Sequence, residues 1–449
     1  MLTRRIRGVQ ALTAIESATL HRGILLLLFL LGFLAFFKPW LHGRDPIGYY
    51  SWVRSLVIDG DLNTADEYAR LGMGDIGVTT VTGHRSNPYA IGSPLLWLPF
   101  FLAAHTITLA QGQVRADGYT ELYILFTSLA TPLYALAGIL LTQRALQKTF
   151  AWPLATLSVA AVWLASPLVF YMYSNPIMAH ANDFFAYALF LTVWLWVREN
   201  RKWQNYLGLG LAAAFMALVR NQNAIFVAFP LAELAWDAWR DRERWRVYAR
   251  RGLAFCSAWW IGFLPQLVVW KIVFGTWLQS NPYAYGYSGH FDLRAPFVLP
   301  VLLSSNRGLF IWTPFLFLAV IGWGFLYRRD RRLALLLGAT FVLQLYVIGS
   351  WTAWHGSASF GQRFFTNLMP AFAFGLAALL DRLQARLAFK WLVAACAAFV
   401  VWNILLLTQY VLELVPRAGA VDMVVLVKNQ FWVIPANLSR LIDILLTRQ

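Results

Sequence analysis

Apolar stretches of roughly 18 to 25 residues recur along almost the whole chain, each bounded by short polar or charged segments. That is the length an α-helix needs to cross about 30 Å of hydrocarbon at about 1.5 Å rise per residue. The pattern predicts an all-α polytopic membrane protein of about eleven transmembrane helices, near 20–37, 120–142, 152–172, 182–198, 204–220, 224–239, 252–274, 309–327, 332–350, 366–381 and 391–412. One further apolar segment, about 91–110, reads as a helix that lies on or dips into the membrane surface rather than crossing it. The first apolar stretch runs into Lys38-Pro39-Trp40 without a small-residue cleavage site, so it reads as a retained first span. A domain of residues 1–412 is followed by a short tail, 413–449, whose stretch "NQFWVIPANLSRLIDILL" reads as interfacial. Little room is left for a separate soluble domain, and no internal repeat stands out.

Charge orients this pattern. Arg4, Arg5, Arg7 and Arg22 place the N-terminus in the cytoplasm, and the loop after the first span, 38–119, outside. If 91–110 does not cross, the later basic clusters all fall inside: Arg144 and Lys148; Arg198, Arg201 and Lys202; Arg240 to Arg251; Arg328 to Arg332; Arg382 to Lys390. If it does cross, every one of them moves outside, against the positive-inside rule. The net charge of +16 is thereby explained by membrane topology, and no nucleic-acid partner is expected. The composition agrees, with 59% hydrophobic and 13% charged residues. The two cysteines, Cys256 and Cys396, lie inside apolar runs and give neither a disulfide framework nor a metal spacing.

Unusual polar residues gather on the predicted outer face. The stretch "GRDPIGYYSWVRSLVIDGDLNTADEY" opens the first outer loop and holds Asp45, Asp59, Asp61, Asp66 and Glu67. Asp45, about eight residues beyond the first span, falls at bilayer-surface depth, where a carboxylate near cations can act as a general base towards a hydroxyl. The same residue, followed by Pro46, also fits a helix N-cap. Elsewhere on this face lie His180 and Asp183 at the head of the fourth span, and Arg220 at the end of the fifth. "SNPYAYGYSGHFDLRAPF" adds Arg294, "SSNRGLF" adds Arg307, and "GSWTAWHGSASFGQRFF" adds His355 and Arg363. Arginines interleaved with Tyr, Trp and Gly suit a lipid-phosphate site, since a guanidinium matches phosphate oxygens bidentately and is weakly hydrated. Tyr283, Tyr285, Tyr287, Trp351 and Trp354 are candidates to stack on a sugar or line a prenyl groove.

In order and topology these features resemble the GT-C superfamily of integral-membrane glycosyltransferases, whose members include protein O-mannosyltransferases and the aminoarabinose transferase of lipid A. The resemblance rests on one span, a long outer loop with an acidic residue directly after it, a membrane-surface helix, a basic turn after the second span and an Asp at the head of the fourth. It covers roughly the first 240 residues. It implies an inverting glycosyltransferase of the bacterial cytoplasmic membrane with a periplasm-facing site, a polyprenyl-phosphate sugar as donor, and a glycan, lipid or protein acceptor. Asp45 matches the family's catalytic base, and Asp183 matches a substrate-contacting acid. Arg220, Arg307 and Arg363, then Arg294 and His355, are the candidates to hold the leaving phosphate, with His180, Asp59 and Glu67 as further substrate contacts. Where the family commonly has an acidic pair, this chain has Asp45-Pro46, which leaves a divalent metal open. The alternative class is a membrane transporter or lipid flippase, which would place ionisable groups at mid-span; few are found there.

Overall fold

A computed structural model describes residues 2–112, 115–287, 289–437 and 439, with side chains given for 16–112, 115–287, 289–432, 435–437 and 439. The side chains of Arg4, Arg5 and Arg7, and the tail from residue 440 onward, lie outside that description. In chain order the α-helices are α1 (Leu2–Phe36), α2 (Arg44–Arg54), α3 (Ala65–Arg70), α4 (Gly92–Gln111), α5 (Glu121–Gln147), α6 (Trp152–Leu164), α7 (Ala179–Glu199), α8 (Trp203–Val219) and α9 (Ala228–Arg240). They continue as α10 (Trp245–Phe274), α11 (Val298–Leu303), α12 (Leu309–Trp312), α13 (Phe315–Arg329), α14 (Arg331–Gly349), α15 (Met369–Leu383), α16 (Phe389–Val411) and α17 (Met423–Ala436). The protein is all-α and polytopic. Among the described residues seven helical segments are long and apolar enough to cross a membrane, and α6 and α8 are shorter apolar helices.

Several predicted spans begin or end differently from the hydrophobic pattern, for local reasons. The 309–327 stretch is interrupted at Thr313-Pro314, because Pro314 has no N–H for the helix ladder, and it splits into α12 and α13. The 366–381 stretch starts with a 3-10 turn, Arg363–Leu368, and becomes α-helical at Met369, where Pro370 suits a first turn that needs no donor. A similar turn, Asn221–Val227, precedes α9. Both turns begin at or next to an arginine, Arg363 and Arg220.

Glycines set the closest helix contacts. A Cβ at Gly322 of α13 would lie 1.8 Å from the Gly375 carbonyl oxygen of α15, and one at Gly375 would lie 2.0 Å from the Ala319 oxygen. Gly210 of α8 approaches α10 in the same way, with 2.3 Å from its would-be Cβ to the Phe255 oxygen. Small residues at such positions let backbones pack where no water-driven burial pulls helices together.

The helices sort charge to two ends. At one end the basic turns predicted as cytoplasmic pair with one another's acids: Lys148 with Glu199, Arg198 with Asp330, Arg201 and Arg332 with Glu233 and Asp237, and Arg329 with Asp381. At the opposite ends of α7 and α8 lie His180 and Arg220. The α4 helix leaves and returns on the α2 side, since both flanking segments hold α2. The Trp52 indole donates to the Tyr89 carbonyl before α4, and the Tyr50 hydroxyl donates to the Gly118 carbonyl after it. The chain therefore does not arrive at the ion-paired end between α4 and α5, and the His105–Tyr123 bond of 2.6 Å ties the last part of α4 to the first turn of α5.

Candidate active site

Six elements converge on one cavity of about 950 Å³. The C-terminal ends of α1, α8, α14 and α16 and the N-terminal ends of α2 and α7 surround it, together with the turn starting at Arg363 and the tyrosine loop between α10 and α11. Asp45 enters from α2. It is not the N-cap of that helix: the helix begins one residue earlier, at Arg44, and its N-cap is Gly43, whose φ of +88° is a conformation glycine adopts freely. Asp45 instead sits in the first turn with both carboxylate oxygens engaged. The Tyr89 hydroxyl donates to Oδ1 at 2.6 Å, and Arg363 Nη1 lies 2.6 Å from Oδ2. Burial by itself pushes the Asp45 carboxyl up. Arg363, the Tyr89 hydroxyl and Arg220 overcome it and hold the group below the usual carboxylate range, so it is ionised.

Tyr89 fits because Gly48, one turn after Asp45, has no side chain. A Cβ there would lie 2.1 Å from the Tyr89 ring. The ring is further walled by Tyr49, Tyr283 and Tyr287, at centroid distances of 4.7, 6.3 and 6.1 Å.

Arg220 and His180 line the same cavity. Arg220 Nη1 donates to His180 Nδ1 at 3.2 Å, and since a guanidinium only donates, the neutral imidazole carries its proton on Nε2. Asp183 lies behind them, fully buried and outside the cavity lining, 3.7 Å from Arg220. Its Oδ1 accepts from Asn223 Nδ2 at 2.5 Å, and Asn223 continues through Asn367 to Gln344 in a buried amide chain. This chain fixes Asp183, and Asp183 fixes Arg220. Of the sequence-predicted pair, His180 is a wall of the cavity, whereas Asp183 supports the arginine from behind it. Phe364 lies beneath both arginines, with its ring centroid 5.2 Å from each guanidinium carbon.

The remaining predicted residues lie elsewhere. Arg307 is fully buried, and its guanidinium donates to three backbone carbonyls, Ser359, Gly419 and Pro416, at 2.7 to 2.8 Å. It staples the segment after α16 to the loop before Arg363, and that segment in turn contributes Arg417 to the cavity lining. His355 accepts from the Ser357 amide at 3.0 Å, is kept neutral chiefly by burial, and does not line the cavity. Arg294 is exposed in its loop. Of the aromatics, Tyr283, Tyr287 and Trp351 line the cavity, whereas Tyr285 packs on Phe274 and Trp354 is buried beside His355.

Asp59 and Glu67 form a separate cluster that braces the first outer loop. Both pair with Arg54, Glu67 at 3.0 Å, and Arg54 also donates to the Asp117 carbonyl. Glu67 is completely buried with one oxygen unpartnered, and burial outweighs Arg54 to raise its carboxyl from 4.5 to about 7. A carboxyl raised on folding stabilises the fold fully below its ordinary range, and that contribution disappears as pH climbs through about 7. The melting temperature should therefore fall between about pH 5 and about pH 8, and Glu67→Gln, which keeps the shape without the titration, should flatten that fall. An unchanged slope in the variant would discard Glu67 as its source.

No family model and no curated protein matches the sequence. A solved structure does: the crystal structure of ArnT from Cupriavidus metallidurans in the apo state matches over 97% of this chain and 72% of that one, with a TM-score of 0.51 at 15% identity. The chain shares its fold with that protein.

Within this ArnT-like fold the cavity has one dominant electrostatic property. Lys38, Arg44, Arg220, Arg363 and Arg417 line it against one lining carboxylate, Asp45, and although Asp183 and Glu413 pair with Arg220 and Arg417 from outside the lining, the cations remain in excess, so it favours an anion. One wall is apolar, built from Leu34, Ala35 and Phe36 at the end of α1 and Leu407 and Val411 at the end of α16, both of which pack on α6. Asn175 Oδ1 and Gln222 Nε2, which belong to cavity-lining residues, have no protein partner. The donor set does not form a metal centre: among the described residues no group of three His, Cys, Asp or Glu side chains comes together, and the Asp45 oxygens face an arginine and a tyrosine. Tyr89, Gly48, Gln222, Phe364 and Arg417 are cavity features that sequence reasoning missed.

Proposed function

We propose that the protein transfers a sugar from a polyprenyl-phosphate donor to an acceptor hydroxyl at the outer face of a bacterial cytoplasmic membrane. The observation that carries this reading is the cavity itself: five cations around one ionised carboxylate, walled on one side by apolar helix ends. Such a site suits a lipid-linked phosphate whose head needs cations and whose tail needs hydrocarbon. The GT-C-like fold supports the same class. The orientation follows from the basic, ion-paired end of the bundle, which the positive-inside rule assigns to the cytoplasm, so the cavity end faces out. A transporter would spread its ionisable groups along a path between both ends. Here the cavity's charges are confined to one end.

In this reaction the acceptor oxygen attacks the anomeric carbon as the bond from that carbon to the phosphate oxygen breaks, with inversion. Asp45 takes the acceptor proton. The leaving lipid monophosphate has a second pKa near about 6 and needs no strong acid, only cations, which Arg363 and Arg220 supply. His180 and Asp183 set Arg220, and the free amides of Asn175 and Gln222 are placed for sugar hydroxyls. The sugar and the acceptor class are identified by assay. Polyprenyl-phosphate sugars loaded into the outer leaflet of right-side-out vesicles, with lipid, glycan and protein acceptor fractions supplied outside, should be consumed with release of polyprenyl phosphate, and inverted vesicles should be inert. A panel in which no donor is consumed defeats the reading.

A further inference from the structure

Asp45 has neither oxygen free of a partner. Oδ1 takes the Tyr89 hydroxyl and Oδ2 takes Arg363, each at 2.6 Å. A carboxylate paired with a guanidinium is a weaker base than a free one, and its lone pairs point at the arginine rather than at an acceptor hydroxyl. Arg363 has the reciprocal problem, since its charge is already compensated and its Nη1 is held by the carboxylate. One exchange resolves both.

We propose that Asp45 occupies the place of the donor phosphate in the ligand-free protein, and that the arriving phosphate displaces it from Arg363, seating the lipid and releasing the base in the same step. The proposal rests on the glycosyltransferase reading above. Three features of the site equip it for the exchange. Among the described residues Asp45 is the only charged partner of Arg363, whose Nε is buried without an acceptor, so no second ion pair holds the guanidinium to the carboxylate. Arg220, which lines the same cavity and acts electrostatically on Asp45, adds a second cation for the phosphate oxygens. Tyr89, seated in the hollow left by Gly48, keeps its bond to Oδ1, so the released carboxylate stays at the site rather than swinging into the cavity.

Charge then follows the chemistry. The donor is a phosphodiester with a single negative charge, and it replaces the single charge of Asp45 on Arg363. Cleavage adds a charge to the phosphate while Asp45 becomes neutral by taking the acceptor proton. Product release lets Asp45, once it gives up that proton to water, return to Arg363.

The exchange predicts that the carboxylate competes with ligand, which a merely structural aspartate would not do. Binding of polyprenyl monophosphate to the purified full-length protein is measured for wild type, Asp45→Asn and Tyr89→Phe. Asparagine can accept from Arg363 through Oδ1 and donate to the Tyr89 hydroxyl through Nδ2, so it preserves the local bonds while removing the competing charge. Asp45→Asn should bind about tenfold more tightly than wild type, as expected when a closed, non-binding state populated about ten to one is removed. Tyr89→Phe, which leaves the Arg363 pair in place, should bind within about twofold of wild type. Equal or weaker binding by Asp45→Asn, with its melting temperature retained, overturns the exchange while leaving the donor assignment standing. If neither wild type nor Asp45→Asn binds the lipid, the donor assignment fails, and the exchange fails with it.

Discussion

Asp45→Asn should lower sugar transfer by about 10²- to 10⁴-fold, the range that general-base catalysis usually contributes, without loss of folded protein. Among the described residues the carboxylate is the only acid lining the cavity, and its surroundings keep it ionised. Asparagine retains its hydrogen-bond geometry, so what is removed is the capacity to accept the acceptor's proton. The loss should fall on kcat, because the interaction is made as the proton moves, and the affinity for donor should not weaken. Turnover near wild type in the vesicle assay would reject Asp45 as the base. A fall in kcat accompanied by a comparable loss of folded protein would point to structure instead, which is why both are measured on one preparation.

The second large effect concerns stability. Gly322→Ala should destabilise the protein by roughly 3 kcal/mol, near the upper end for overpacking a tight contact. The reason is geometric: the added carbon would lie 1.8 Å from a backbone oxygen of α15, and a backbone oxygen cannot rotate away as a side-chain tip can. The α13 and α15 helices must part, and the contact between Gly375 and Ala319 parts with them. Since α15 continues directly from the turn that begins at Arg363, activity should fall along with the melting temperature in detergent. An unchanged melting temperature would show that the helices absorb the extra carbon without separating.

The sequence made the all-α, polytopic class legible because membrane insertion is governed by local quantities: runs of apolar residues and the sign of charge beside them. The same locality marked Asp45, which directly follows the first apolar run, and Arg220 and Arg363, each at a helix junction. Partnership was not legible. Nothing near Tyr89 announces a bond to Asp45, and nothing in "SSNRGLF" distinguishes an arginine bound to three carbonyls from one bound to phosphate. The acids of the first loop looked alike in sequence, yet the fold sends Asp45 into the cavity and Asp59 and Glu67 onto Arg54. The one weak signal for the buried amide chain was composition, since Gln344 and Asn367 interrupt apolar runs that have no local use for them.

The wall held by Arg307 has a consequence for how the cavity comes into being. Arg417 lines it, and the carbonyls of Pro416 and Gly419 are what Arg307 grips, so the enclosure is completed by a segment translated after every bundle helix that contributes to the site. A nascent chain that has inserted all of α1 to α16 still has an open side. The ribosome delivers the last wall of the chamber only after α16 is complete.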